Sequence, residues 1–318
     1  MGRYIIRRVA LSFVTLFILL VIVFFLTTVL ADNPASIIAG PFAPEARVQE
    51  IAERCGLNDS TTTQFVSLLG DTVTFFTNVD SCSTQEPVWS GVVWPALQNS
   101  AKLVAFALVM MIPVSIAGGV LAARRKDTLT DRTIVTTGLA TSAIPDFVTA
   151  VLLQYIIGVQ LGWFPALAQA DEGASVLTQL NHLFLPALTI VVVYFGYIAR
   201  MTRAGTIQAL ESDYTRTAYM KGMGTTQVVR RHVLRNALQP TVAVIGTSMG
   251  YLFGGLVGIE IIFNYSGLGK QIVDSALKGE LVVLQASVIV VAIIFMIATL
   301  AADVIIAWMN PRARLGGD

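Results

Sequence analysis

The sequence predicts an all-α integral membrane protein with six transmembrane helices. Of its 318 residues, 55% are hydrophobic and only 13% are charged, and the mean hydropathy is +0.71. A soluble domain of this size does not need so much apolar surface. Six apolar stretches are long enough, or nearly so, for a helix to cross a hydrocarbon layer of roughly 30 Å. They are 9–30, 103–123, 134–161, 183–199, 241–263 and 281–309.

The distribution of lysine and arginine predicts that both termini face the cytoplasm. Positive residues gather at the cytoplasmic ends of spans. Here they precede the first span, follow the second, surround the segment between the fourth and fifth, and follow the last. Among them are Arg3, Arg7, Arg8, Arg124, Arg125, Lys126, Arg132, Arg200, Arg203, Lys221, Arg312 and Arg314. The opposite side carries Arg47, Arg54, Lys270 and Lys278, with Lys102 at a boundary.

The first apolar stretch has two interpretations, a secretory signal or an uncleaved anchor. Signal cores usually run about 7 to 15 residues, and this stretch is longer, which favours the anchor. We therefore divide the chain into three parts. Residues 1–31 are a cytoplasmic segment with the first helix, 32–98 are an extracytoplasmic loop, and 99–318 are a transmembrane domain of five helices with a cytoplasmic loop at 204–239.

The loop at 32–98 is the only long hydrophilic segment, and it holds both cysteines, Cys55 and Cys82. It lies on the side of the membrane where disulfides persist. A bridge would remove unfolded-chain entropy worth roughly 3 to 4 kcal/mol. The alternative is two unrelated thiols.

The segment 213–240 is a polar, basic, helix-prone stretch between two spans. It reads DYTRTAYMKGMGTTQVVRRHVLRNALQP, with a short helix-forming run, a glycine break and a basic amphipathic run. A loop that only joined two spans would not need this chemistry. The pattern indicates a docking surface for a cytoplasmic partner.

Motifs of soluble enzymes are missing from the sequence. It has no Walker phosphate loop, Rossmann glycine fingerprint, HExxH motif or paired CxxC. The two histidines, His182 and His232, fall on opposite predicted sides of the membrane, so they cannot share a metal. We therefore expect no cofactor or metal in this chain, and we expect a partner to supply energy.

A series of motifs then resembles one known family. They are RYIIRR, LAARRKDTLTDR, AIPDF, LGWFPA, HLFLPALT, ARMTRAGTIQALESDYTRTAYMKGM, RRHVLRNALQP, GIEIIFNYSGLG and NPRAR. In this order and spacing, the chain is similar to the membrane-spanning permease subunit of a bacterial ABC importer, in the dipeptide, oligopeptide and nickel permease family.

This resemblance implies partners and a location. It implies a second homologous permease, one or two ATPase subunits that hold ATP and Mg, an extracytoplasmic solute-binding protein, and the bacterial inner membrane. The chain itself would be a transport subunit and no enzyme. The cargo stays open among dipeptides, longer peptides, nickel complexes, glutathione and opines.

The resemblance also implies a coupling helix that sits in a groove of an ATPase subunit. The matching residues are Arg216, Thr217, Ala218 and Gly222, where the general importer pattern begins Glu-Ala-Ala. The glutamate is missing, so docking cannot depend on that carboxylate. Ala218 and Gly222 are four residues apart, and we predict that they share a helix face that approaches the groove closely.

The basic run that follows contains Arg230, Arg231 and Arg235. These residues could pair with carboxylates of the ATPase, or they could only obey the positive-inside rule. Both interpretations remain open.

The fifth span carries a stripe of glycines, Gly246, Gly250, Gly254 and Gly258, at intervals of four residues. Such stripes allow helices to approach closely in lipid. We predict a helix interface, with the second permease as a candidate partner. A hinge used in gating is the alternative.

Charged residues within spans are candidates for the translocation pathway, because they are costly in lipid and usually face a cavity or a partner. Asp146, Glu260 and Asp303 are the candidates. Asp146 follows Pro145, where a broken helix would expose it to a central passage, and the family usually has a small residue there. For all three, the alternative is a structural carboxylate satisfied by nearby polar groups.

Two other classes of protein are weighed against the importer. A secondary transporter should show inverted repeats and an intramembrane ion site, and neither is clear here. An intramembrane enzyme needs a paired catalytic constellation. Asp146 and Asp303 are the only plausible carboxylate pair, and they lie at different predicted depths.

Overall fold

The regular secondary structure is helical in the part of the chain that the computed structural model describes. That part is residues 2–29, 33–171 and 173–309, without the side chains of 2–8, 29, 225, 230, 232, 235, 249–251, 253–255 and 306–309. The α-helices are α1 Gly2–Phe24, α2 Pro34–Ala39, α3 Glu45–Arg54, α4 Thr61–Val73, α5 Trp94–Arg124, α6 Leu129–Ala143, α7 Asp146–Leu153, α8 Val176–Leu210, α9 Asp213–Met220, α10 Thr225–Val228, α11 Leu234–Ile262, α12 Leu268–Lys278 and α13 Leu281–Met309. Wider π-type turns extend or precede some of them, at Phe25–Val29, Val88–Val93, Gln154–Gln160 and Val229–Val233.

The all-α class is confirmed, since no strand occurs among the described residues. Four helical stretches in that part are long and apolar enough to cross a membrane, and a bent pair makes up to five. The four are Val9–Thr28, Val88–Arg124, Val176–Leu210 and Leu281–Ile305. The predicted span at 241–263 falls within α11, where several side chains lie outside the described residues.

The predicted third span, 134–161, is not one continuous helix. It consists of α6 and α7 with the π-type turn that follows, and the two parts meet at an angle of 102°. The break lies at Ile144, which is extended at φ −82° and ψ 131°. Pro145 explains this, because the residue before a proline is driven out of the helical region. The broken helix that the sequence predicted at Pro145 is therefore present.

Glycines set the closest helix contacts, and the sequence analysis missed these positions. Gly138 on α6 lies against Gly196 on α8, so that a side chain at Gly196 would overlap the Gly138 carbonyl. Gly119 on α5 faces Ala199 and Thr202 of α8 in the same way. In lipid, apolar surface alone drives little helix association. The van der Waals contacts that this close packing allows therefore supply much of the attraction between the helices.

The predicted glycine stripe on α11 contacts other helices of the same chain at its two ends. A side chain at Gly246 would meet Ala302 of α13, and one at Gly258 would lie 3.5 Å from the Cβ atom of Phe147 on α7. The environments of Gly250 and Gly254 lie outside the described residues. At Gly246 the close neighbour is therefore α13, while an interface with a second subunit stays a prediction.

The loop at 32–98 contains three helices, α2 to α4, which form a cap. The disulfide is confirmed, because Cys55 and Cys82 are bridged with Cα atoms 5.9 Å apart. The bridged loop holds the buried Glu280, whose carboxylate accepts hydrogen bonds from the Cys82 N–H at 3.1 Å and the Ser83 N–H at 2.6 Å. This attaches the cap to the junction of α12 and α13.

Candidate functional site

The short helix α9 is attached to the end of α8 by hydroxyl groups. Thr215 is fully buried and donates a hydrogen bond of 2.7 Å to the Ala209 carbonyl, and the Ser212 hydroxyl donates to the same oxygen at 2.6 Å. The carbonyls of the last helical turn lack partners within their own helix. Ser212, at the N-cap position of α9, and Thr215 on α9 supply partners for one of these carbonyls, and they hold α9 against the end of α8.

Ala218 lies on the inner side of α9. Only 5% of it is exposed, and it belongs to an apolar cluster that includes Ala209 of α8 and Ala237 of α11. The same cluster contains Val228 and Val233. Ala218 therefore packs within this chain, and its small size lets α9 lie close to α8 and α11.

Gly222 lies beyond the end of α9, which corrects the predicted shared face. The helix ends at Met220 with Lys221 as its cap. Gly222 then adopts φ +79°, the left-handed conformation that glycine reaches without a steric penalty. Its N–H donates to the Tyr219 carbonyl at 2.9 Å. Gly222 thus terminates the helix, as glycine does at many helix ends.

The outer side of α9 is a surface that sequence reasoning recognised only in part. At 100° per residue, Asp213, Arg216, Thr217 and Met220 share the side opposite Thr215 and Ala218. All four are exposed, and Met220 is 76% exposed. We call these four residues the docking face. The sequence feature that could have indicated the whole surface is the methionine in an otherwise polar helix, which the structure shows to be exposed.

The basic run is helical and continuous with α11. α10, the π-type turn Val229–Val233 and α11 follow one another without a gap, so the predicted separate run extends the fifth span. Arg231 is exposed, while the side chains of Arg230 and Arg235 lie outside the described residues. Pro240 lies inside α11.

A buried ion pair joins α8, the helix that leads into α9, to α6. Arg203 on α8 donates from Nε and Nη2 to the two oxygens of Asp131 on α6, both at 2.6 Å. Asp131 also accepts the Asp127 N–H at 2.9 Å, and its side chain is only 4% exposed. An exposed pair, Lys126 with Glu211, joins the same elements at 3.1 Å. Sequence reasoning counted Arg203 only as a positive-inside residue.

The three candidate pathway carboxylates lie in different settings. Asp146 is half-buried at the first position of α7, directly after the break, and accepts the Phe147 N–H at 2.8 Å. Asp303 lies on α13, beside a groove that α1 also lines, and it has an interaction partner. The structure therefore places only Asp146 at a broken helix.

Glu260 is fully buried and serves as a cap for α12. Its carboxylate accepts the Ser100 hydroxyl at 2.5 Å and the Lys270 N–H at 2.9 Å. The Ser100 oxygen accepts the Leu268 N–H at 2.8 Å, so the first turn of α12 is satisfied. A side chain at Gly267 would overlap the carboxylate. This is the structural role that was weighed as the alternative, and in this conformation Glu260 lines no open passage.

Within the described residues, no group of three or more His, Cys, Asp or Glu side chains could hold a metal ion. The His182 Nδ1 atom lies 2.9 Å from the Leu167 carbonyl oxygen, a hydrogen bond within the chain. The side chain of His232 lies outside the described residues. The two features that remain as candidate functional sites are α9 with its docking face and the helix break at Asp146.

An apolar helical bundle of this kind defines a multi-pass membrane protein. The model of the family described as "Binding-protein-dependent transport system inner membrane component" matches residues 115–315, and the model of its N-terminal region matches residues 1–117. The chain belongs to this family. It is a permease component of an ABC importer in the bacterial inner membrane, and it is a transport component rather than an enzyme.

Relatives match over almost the whole chain. A "Probable peptide ABC transporter permease protein y4tP" of Sinorhizobium fredii is 31% identical, covering 99% of this chain and 100% of its own. The "Oligopeptide transport system permease protein AppB" of Bacillus subtilis is 31% identical over 98% and 99%. The "Glutathione transport system permease protein GsiC" of Escherichia coli is 32% identical, over 99% of both chains. Membership favours the importer over the secondary transporter and the enzyme.

Proposed function

We propose that this chain forms half of the translocation pathway of an importer for peptides or related small solutes. The observation that carries the proposal is the end-to-end match to relatives named as peptide, oligopeptide and glutathione permeases. The predicted six spans belong to it, with both termini and α9 cytoplasmic. The spans are α1, α5, the bent pair α6 and α7, α8, α11 and α13.

The other subunits supply what this chain lacks. A second homologous permease completes the pathway, an extracytoplasmic binding protein delivers the solute, and one or two ATPase subunits bind ATP and Mg. Hydrolysis in those subunits moves a docked helix of the permease. The motion then switches access between the two sides of the membrane.

In this proposal α9 is the coupling helix, and its docking face sits in the groove of the ATPase. Ala218 and Thr215 hold the opposite side of α9, because Thr215 bonds to the end of α8 and Ala218 belongs to the apolar cluster that also contains Ala237 of α11. A displacement of the docking face is therefore transmitted to both α8 and α11. Arg231, on the extension of α11, is placed to pair with carboxylates at the rim of that groove. We extend this role to Arg230 and Arg235 from the sequence alone.

Met220→Glu tests the docking face. A carboxylate at this exposed apolar position would have to be desolvated in the groove, so we expect co-purification of the ATPase to fall at least about tenfold. The matched control is Leu277→Glu on α12, where the exposed fraction is 75% against 76% for Met220. Leu277 lies at the other end of the bundle, so this variant should retain the ATPase. Equal retention of the ATPase by both variants would contradict the proposal.

Asp146 is proposed as the residue that attracts the ammonium group of a peptide. Pro145 breaks the span and places this carboxylate at the break, where it is half-buried and accepts one N–H. A buried or half-buried carboxylate interacts more strongly with a cation than it would in bulk water. A peptide with a free amino terminus should therefore pass more readily than its acetylated form.

The test for Asp146 compares uptake of free and N-acetylated peptides by the full complex in proteoliposomes. We expect Asp146→Asn to reduce the preference for the free amine about tenfold, which corresponds to about 1.4 kcal/mol. Asp146→Glu, which keeps the charge, should retain most of that preference. If the asparagine variant keeps the wild-type ratio of uptake rates, Asp146 has no role in selecting the cargo.

A further inference from the structure

The helix α4 lies in the predicted extracytoplasmic loop, yet its contacts are with the middle of two membrane spans. The Phe65 ring packs on Phe24 with centroids 5.1 Å apart and on Phe17 at 6.5 Å. Toward its C-terminal end, Leu69 and Val73 line a groove of about 490 Å³ with residues of α1 and α13. On α1 these include Phe13 and on α13 they include Met296.

The exposed surface of α1 shows how deep this contact is. Apolar side chains on α1 and the π-type turn that continues it remain about half exposed, from Phe13 through Phe17 to Leu26. A continuous apolar surface of this kind on a spanning helix faces hydrocarbon. From Leu26 to Phe17 a helix rises about 14 Å, at about 1.5 Å per residue. Since the hydrocarbon layer is about 30 Å thick, Phe17 is near its middle, and α4 reaches that depth.

The outer side of α4 has apolar side chains that the rest of the chain leaves uncovered. Val66 is 66% exposed, Val73 is 80% exposed and Phe75 is 49% exposed. Water would disfavour so much apolar area, whereas lipid would not. The polar side chains Gln64 and Asp71 instead line a separate cavity of about 110 Å³, together with Cys55 and Gln285. Gln64 and Asp71 of α4 therefore face the disulfide and α13, away from Val66 and Val73.

The turn that ends α4 bonds most of its N–H groups to its own carbonyls, which lowers the cost of placing it in lipid. Phe75 and Phe76 have φ of 53° and 55°, and the chain reverses there. The N–H groups of Thr74, Phe75, Phe76 and Thr77 all donate to carbonyls within α4 or the turn. The hydroxyls of Thr72, Thr74 and Thr77 also donate to such carbonyls. No water is needed to complete these bonds.

We propose that α4 dips into the membrane from the outer side and binds lipid acyl chains, through Val66, Val73 and the groove between α4, α1 and α13. The lipid-facing surface of α1 continues directly onto this groove, because Phe13 and Phe17 belong to both. Part of the loop at 32–98 is thus an intramembrane element. This inference depends on the membrane location of the chain and not on its cargo or its ATPase.

Single cysteines at Val73 and Val66 test the proposal in the full complex. The two native cysteines are bridged, so an added cysteine is the reactive thiol of the described chain. In spheroplasts we expect a membrane-impermeant maleimide to label Val73→Cys and Val66→Cys at least about tenfold more slowly than Thr61→Cys, since thiols in apolar surroundings react poorly. Thr61 is exposed at the first position of α4 and serves as the control.

A second measurement distinguishes lipid from a protein partner. A bimane attached at position 73 or 66 of the purified complex should be quenched by phospholipid brominated midway along its acyl chains, and a bimane at position 61 should not. Labelling of Val73→Cys as fast as Thr61→Cys would place α4 in water and overturn the proposal. Slow labelling without quenching would mean that a subunit covers the surface, which overturns it equally. The Val66 variant decides the matter if the Val73 variant fails to assemble.

Discussion

Replacing Gly196 by valine is expected to separate α6 from α8 and to prevent the permease from folding correctly. A Cβ atom at Gly196 would overlap the Gly138 carbonyl, and one at Gly138 would lie 2.6 Å from the Gly196 Cα atom. Overpacking in a core costs about 1 to 3 kcal/mol and occasionally more. Here the added Cβ atom meets backbone atoms of the partner helix, so no side-chain rotation can relieve the overlap. We therefore expect a cost at or above the upper end of that range.

The measurement is the yield of monodisperse protein and its thermal midpoint in detergent. Gly196→Ala and Gly70→Ala form a matched pair, because both put the same methyl group on a helical glycine. Gly70 on α4 has nothing within 4 Å of the added atom. Alanine is favoured over glycine in helices by about 1 kcal/mol, so Gly70→Ala should not lower the midpoint. A wild-type midpoint for Gly196→Ala would refute the tight contact.

The second large effect is expected from Asp131→Ala. This change leaves Arg203 without its bidentate partner, in a site where its side chain is 25% exposed. Removing one member of a buried ion pair costs roughly 3 to 5 kcal/mol, and the partial exposure of Arg203 favours the lower end. Because α8 carries α9, we expect both the thermal midpoint and ATP-driven uptake to fall.

A double-mutant cycle separates the ion pair from general packing. Asp131→Ala combined with Arg203→Ala should be less destabilised than the sum of the two single variants, because no charge is left unpaired. The control is Glu211→Ala, which removes the exposed pair with Lys126, where the side chains are 49% and 65% exposed. Exposed pairs contribute about 0 to 1 kcal/mol. Strict additivity at positions 131 and 203 would mean that the pair does not stabilise the bundle.

Much of the candidate site could be predicted from the sequence. The resemblance assigned Arg216 and Thr217 to a surface helix, and both are exposed on α9; its docking role stays a prediction. Ala218 and Gly222 were assigned to one face because their spacing of four fits a helix. That prediction failed because the helix ends at Met220, and a count of residues does not show where a helix stops.

The cap shows a similar division. The sequence indicated a disulfide between Cys55 and Cys82, and the bridge is present. It also indicated that 32–98 is a hydrophilic loop. The apolar side of α4 was missed because the segment is polar on average. Only the contact of Phe65 with Phe17 and Phe24 reveals how far α4 reaches along α1.

By itself, the sequence determined the helical membrane class, the break at Pro145 as a hypothesis, and the family. These properties follow from local composition, because a run of apolar residues in lipid has little choice but to form a helix. The tertiary structure alone decided that Ala218 packs inward, that Glu260 caps α12 and that Arg203 pairs with Asp131. Such roles depend on which surfaces meet, and residues 72 positions apart in the chain become partners only when glycines bring their helices into contact.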